Sequence, residues 1–93
     1  MFHYVYLLEL NNGNWYTGFT SDLKKRIKDH ENGKVQSTKP FLPIKLIHYE
    51  AYKIKEDARR REKYLKTSDG KHFLKQQLSI LYSKIKKADN ESN

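Results

Sequence analysis

The chain has 93 residues, a net charge of +8 with histidines neutral, 13% aromatic residues and no cysteine, which bounds it to one domain with one modest core and excludes disulfides and thiolate metal sites. The charge points to a polyanionic partner, nucleic acid before an anionic membrane surface, and the aromatic content argues against simple disorder. No apolar run approaches the roughly 20 residues of a membrane span, and the opening MFHYVYLLEL lacks the basic head and small-residue cleavage site of a signal peptide, so a cytoplasmic location is the default.

The stretch Tyr4 to Gly18, YVYLLELNNGNWYTG, organises the rest. Two short apolar segments flank a polar turn, which predicts a β-hairpin with tyrosines on its strands. If Leu10 pairs with Asn14, the loop is Asn11-Asn12-Gly13, a type I turn closed by a left-handed glycine. Tyr16 then lies opposite Leu8, and Tyr6 and Tyr16 are diagonal neighbours on one face. A two-residue Asn12-Gly13 loop would shift the pairing by one and separate them.

The second strand is expected over about Trp15 to Phe19, followed by Thr20-Ser21-Asp22, a cluster suited to capping a helix. Leu23 to Asn32 has helical spacing, with Leu23 and Ile27 one turn apart, Arg26 at the edge of that stripe and His30 one turn beyond it. Asn32-Gly33 is a C-cap signal. Lys34 to Pro43 reads as a loop broken by Pro40 and Pro43, and Ile44 to Glu50 as a third strand. Ile54 to Lys66 is a second helix, on which Glu62 falls between Ala58 and Leu65 and should point toward the sheet. Ser68-Asp69-Gly70 is taken as a break, and Phe73 to Ile85 as a third helix with a stripe of Leu74, Leu78, Leu81, Tyr82 and Ile85. The expected order is β-β-α-β-α-α: an α+β domain over 1–87, a small and mostly antiparallel three-stranded sheet flanked by helices, with a frayed tail over 88–93.

Tyr6, Tyr16, Arg26, His30 and Glu62 are the candidates for chemistry. Each also has a bland reading. Strand tyrosines pack, an arginine snorkels, a histidine at a helix end favours the dipole, and Glu62 could pair with Arg59 or Lys66 along its helix. The RRREK run at 59–63 reads most simply as a solvated face.

Taken together, the pattern resembles the GIY-YIG nuclease superfamily, in particular its small stand-alone bacterial members. YVY at 4–6 and YTG at 16–18 look like the two half-motifs that name it. Arg26 lies where the family's helix arginine is expected, His30 one turn later, and Glu62 within ARRREKYLK where the family's metal-binding glutamate is expected. The likeness covers roughly residues 2 to 78. One departure is that Tyr4 stands where the first glycine of the GIY half-motif would be.

The resemblance implies a divalent-metal-dependent endonuclease acting on DNA, with RNA not excluded, through structure-selective cleavage of the kind used in DNA repair or recombination. Glu62 would hold one Mg²⁺ or Mn²⁺, and Arg26 would clamp phosphate oxygens. Tyr16 would be the general base with Tyr6 positioning the water, and His30 is the rival base or a phosphate ligand. An isolated tyrosine has a pKa of about 10, so a tyrosine base needs positive charge nearby. Lys24, Lys25, Lys28 and Lys39 are candidate backbone contacts, which position without specifying sequence. No appended recognition module is visible, so selection would rest on substrate shape or on a delivery partner. The competing readings are a non-catalytic nucleic-acid-binding module on the same scaffold and an adhesive basic protein of ribosome or membrane.

Overall fold

The hairpin forms in the register that the three-residue loop demands. In the structure, a computed structural model that describes residues 1–91, β1 (His3–Glu9) pairs antiparallel with β2 (Trp15–Thr20). Leu8 stands opposite Tyr16 and Tyr6 opposite Gly18. Leu10 N–H donates to Asn14 O at 2.8 Å and Gly13 N–H to Leu10 O at 2.9 Å, which closes the Asn11-Asn12-Gly13 loop. Gly13 takes φ 86°, a left-handed conformation that suits glycine.

The third strand, β3 (Lys45–Tyr52), pairs antiparallel with β1 from the other side, giving the order β2-β1-β3. It runs two residues past the end expected from sequence. The pairing slips between Leu7 and Leu8, a bulge that lets β3 re-register against the central strand. Val5, Tyr6, Leu7 and Leu8 are each at most 2% exposed. A central strand covered on both faces reads as an unbroken apolar run, which is why YVYLL does not alternate. On the Tyr6 face the core is Tyr6, Leu8, Leu10 and Ile44, with Tyr16, Leu23, Ile27, Phe41 and Leu42 packed against it.

Helix α1 (Leu23–Glu31) starts and stops on local signals. The Asp22 carboxylate accepts from Lys25 N–H at 3.2 Å as N-cap. At the other end Gly33 N–H donates to His30 O at 3.1 Å and Lys34 N–H to Asp29 O at 2.9 Å, with Gly33 at φ 73°. These paired bonds are a Schellman motif, and they fix the last turn of α1, where His30 sits. The 34–43 connection is not a plain loop: Lys39–Phe41 forms a 3-10 turn.

The residues divide into two compact units, Met1–Lys63 and a second from Tyr64 onward. Helix α2 (Lys55–Leu65) runs across that boundary. In the second unit the expected single helix over Phe73–Ile85 is instead two, α3 (Ser68–Gln77) and α4 (Ser79–Glu91). Leu78 leaves helical geometry at φ −106° and ψ 37°. The apolar stripe keeps its three-and-four spacing straight across Leu78, so sequence periodicity cannot reveal the break.

Ser68-Asp69-Gly70 also starts a helix rather than stopping one, because Thr67 caps α3 by accepting from Gly70 N–H at 3.0 Å. A Cβ at Gly70 would overlap the Tyr64 carbonyl, so glycine there permits the tight turn between α2 and α3. Of the tail expected over 88–93, residues 88–91 belong to α4, while Ser92 and Asn93 lie outside the described residues. No helix among the described residues is long and apolar enough to cross a membrane.

Candidate active site

The hairpin register puts two phenols on one sheet face, and α1 brings an arginine and a histidine to them. Tyr6 is 1% exposed and its hydroxyl lies 2.8 Å from His30 Nε2. The Tyr6 and Tyr16 rings each meet the His30 ring edge-on, at centroid distances of 5.5 and 5.4 Å. Gly18 makes room for this: a Cβ there would overlap both Cζ and the hydroxyl oxygen of Tyr6. The glycine of YTG is thus required by the ring of the tyrosine paired opposite it.

Arg26, one turn before His30, stands near enough to Tyr6 for its guanidinium to act on the phenol. The Tyr6 hydroxyl raises the Arg26 pKa, so the group stays charged. Burial raises the Tyr6 pKa; Arg26 works against the rise, and the charges of Tyr16 and Glu62 add to it. Tyr6 is therefore a protonated, enclosed phenol. Tyr16 is only partly buried, and its hydroxyl accepts from Ser37 at 3.3 Å.

His30 is fully enclosed and both ring nitrogens are engaged, Nε2 with Tyr6 and Nδ1 with Thr38 Oγ1 at 2.7 Å. Burial, with the Arg26 charge next and Asp29 opposing, lowers its pKa to about 4, so it is neutral at pH 7. Neither nitrogen is open to a phosphate. Glu62 sits on α2 with its side chain 13% exposed, Arg59 Nη1 3.7 Å from its carboxylate, and its charge felt at Tyr6. Of the five residues chosen from sequence, Tyr6, Tyr16 and His30 are in contact, and the charges of Arg26 and Glu62 are felt at Tyr6.

Among the basic candidates, Lys25 lines a shallow groove of about 410 Å³ between the end of β2 and α1, together with Phe19, Asp22, Arg26 and Asp29. Lys25 also lies 3.6 Å from Asp29. Lys24, Lys28 and Lys39 are exposed and stand outside that lining.

Three features escape the sequence reading. Thr38, from the connection after α1, is fully buried against His30. Glu50 on β3 accepts a bidentate pair from Arg61, at 3.0 and 3.2 Å, and a bond from Tyr52 at 2.7 Å, with His48 Nε2 at 3.1 Å. Burial works to raise the Glu50 pKa, but the bonds from Arg61, Tyr52 and His48 outweigh it and hold it at about 2. Arg61 is thus no part of a solvated face: it ties α2 to the sheet one residue before Glu62. Finally, Arg59 lies over the Phe19 ring at 4.2 Å, which steadies the same helix on β2.

Phenols, a guanidinium and a carboxylate on a hairpin and its helices fit the nuclease resemblance read from the sequence, and the comparisons show the family. Residues 2–77 match the GIY-YIG catalytic domain, and the chain belongs to the GIY-YIG nuclease family. It is 38% identical over 89 residues to a UPF0213 protein of Clostridium perfringens, covering 95% of this chain and 91% of that one. It is 42% identical over 64 residues to a UPF0213 protein of Streptococcus agalactiae, covering 68% and 73%. The solution NMR structure of a UPF0213 protein from Bacillus halodurans is similar to this chain at a TM-score of 0.52 and 42% identity, covering 80% of this chain and 82% of that one. Membership in this nuclease family implies a DNA substrate.

Proposed function

We propose that the protein is a divalent-metal-dependent endonuclease that hydrolyses DNA phosphodiester bonds, with structure-selective cleavage in repair or recombination as its setting. The observation that carries this reading is the Arg26 guanidinium beside Tyr6, with Tyr16 against the same His30 ring and the charge of Glu62 felt at Tyr6. Phosphodiester hydrolysis needs an activated water, donors for the charge that develops on the phosphate, and help for the leaving oxygen.

Arg26 supplies the donors. Its planar fork matches two phosphate oxygens, and it lines the groove beside Tyr6. Tyr16 is the better base of the two tyrosines, because it reaches the surface while Tyr6 is enclosed and held protonated. His30 does not touch substrate; it anchors Tyr6 from behind.

Glu62 is the residue that would hold a metal. Among the described residues no group of three His, Cys, Asp or Glu side chains could hold a metal ion, so Glu62 would act without a protein cage around the ion. That fits Mg²⁺ or Mn²⁺ with most of its waters retained, since Mg²⁺ dehydrates reluctantly. When bound, such an ion would polarise the phosphate and stabilise the leaving 3′ oxygen. Lys25 beside Arg26, with the exposed Lys24, Lys28 and Lys39, would grip the backbone without reading sequence. Binding by so small a module is salt-sensitive, which leaves selection to substrate shape or to a delivery partner.

The test is cleavage of plasmid and of branched oligonucleotides by the purified chain, with Mg²⁺ or Mn²⁺ and with a chelator. Metal-dependent cleavage that is lost in Glu62→Ala and in Arg26→Ala supports the proposal. Full activity in either variant removes that residue from the site, and DNA binding without cleavage in either metal leaves a non-catalytic binding module.

A further inference from the structure

The polar chain behind Tyr6 has a direction, and the direction has a consequence. Three groups are bonded in a row, Tyr6 on β1, His30 at the end of α1, and Thr38 in the connection that follows, with Arg26 on α1 beside Tyr6. The two ends are chemically one-sided. Arg26 has only donors, and the Val35 carbonyl at the far end, 3.4 Å from Thr38 Oγ1, has only lone pairs.

Run from the Arg26 side, the row satisfies every hydrogen. Tyr6 O–H donates to His30 Nε2, His30 Nδ1–H to Thr38 Oγ1, and Thr38 O–H to the Val35 carbonyl. Run the other way, Thr38 would donate to Nδ1 and His30 Nε2–H to Tyr6. The Tyr6 oxygen would then accept from His30. Its own hydrogen, on a phenol 1% exposed, would have no acceptor among its hydrogen bonds in the described residues. A buried polar hydrogen without an acceptor costs about 1–3 kcal/mol, so the first direction prevails.

We infer that Thr38 is a positioning residue: by accepting from Nδ1–H it fixes the tautomer of His30, which turns the Tyr6 hydroxyl hydrogen inward and leaves the lone pairs of the Tyr6 oxygen to the Arg26 charge beside it. Thr38 itself touches neither substrate nor metal. Its effect on cleavage rests on the nuclease reading above; its effect on the tautomer does not. The position is invisible to a motif search, because Thr38 lies eight residues past His30 in a connection that the hairpin and helix motifs do not include.

The experiment is side-chain ¹⁵N NMR of the full chain at pH 7, with the His30 signals assigned by their loss in His30→Gln. Nitrogen shifts separate the Nδ1–H tautomer, the Nε2–H tautomer and the imidazolium. The expected result is a neutral His30 protonated at Nδ1 in the wild type and in Thr38→Ser, which keeps the hydroxyl. In Thr38→Val the Nε2–H form should grow.

In parallel, single-turnover cleavage should fall roughly ten- to a hundredfold in Thr38→Val, the scale expected when a positioned group drifts, and recover in Thr38→Ser. An Nε2–H or imidazolium His30 in the wild type overturns the inference, and this holds even if Thr38→Val fails to fold. So does a Thr38→Val protein that keeps both the tautomer and the rate. If the wild type shows the Nδ1–H form but cuts no DNA, the nuclease reading fails and the tautomer assignment stands.

Discussion

Acid should weaken this protein through His30. The ring is fully enclosed, and burial with the Arg26 charge holds its pKa at about 4 against an ordinary 6.5. It is faced by Arg26 and Asp29 from α1, Tyr6 from β1, Tyr16 from β2 and Thr38 from the connection after α1. In the unfolded chain the imidazole returns to its ordinary value. Between pH 6.5 and 4 the unfolded chain therefore binds more protons, and stability falls as pH falls. The contribution is complete above about 6.5 and gone below about 4. At about 1.4 kcal/mol per pH unit this window amounts to about 3 kcal/mol, a large part of the 5–15 kcal/mol typical of a folded domain.

Urea unfolding at pH 7.5, 6.5, 5.5 and 5 measures it, in the wild type and in His30→Gln. The Glu50 window lies lower, from its ordinary 4.5 to about 2, so the upper range isolates the histidine. The wild type should lose about 2 kcal/mol between pH 7.5 and 5 beyond any loss in the variant, by the same linkage. Parallel pH dependences in the two proteins would show that His30 is not buried neutral, and would refute the reasoning.

Other outcomes follow from the same geometry. Gly18→Ala must push the Tyr6 ring off its 2.8 Å bond to His30 and should cost about 1–3 kcal/mol in urea unfolding; a neutral substitution would mean that the ring does not lie over the strand. Glu50→Gln should lower stability at pH 7 by about 3 kcal/mol, since the held-down carboxyl contributes above 4.5 and loses that contribution as pH falls to about 2. The gap between variant and wild type should close toward pH 2, and a constant gap would assign the loss to packing instead. Titration with Mn²⁺ should broaden amide signals around Glu62 in the wild type and leave them sharp in Glu62→Gln; equal broadening in both would move the metal elsewhere.

What the sequence discloses about this site is local, and what it conceals is not. Asn11-Asn12-Gly13 dictates a three-residue turn, and the turn dictates that Tyr6 and Tyr16 share a face. Asp22 and Asn32-Gly33 bracket α1, so Arg26 and His30 follow at fixed angles. Glu62 is placed inward by its position relative to Ala58.

The rest depends on partners distant in the chain. Nothing near Thr38 announces a bond to His30, and Glu50 becomes a brace only because β3 brings it under Arg61. The depth at which Tyr6 and His30 are enclosed comes from a central strand covered on both faces, which no single strand pattern reveals. The α3–α4 break at Leu78 carries no glycine or proline and leaves the apolar stripe unbroken, so periodicity passes over it.

The claim on which the account depends is that residues from β1, β2, α1 and α2 act together on one phosphate. The measurement that tests it most directly is the single-turnover cleavage rate of the double variant Tyr16→Phe/Arg26→Ala beside each single variant, at saturating metal and DNA. Residues that work as a unit are grossly non-additive, so the double variant should be little slower than the slower single one. A rate that falls by the full product of the two single losses would contradict a shared site.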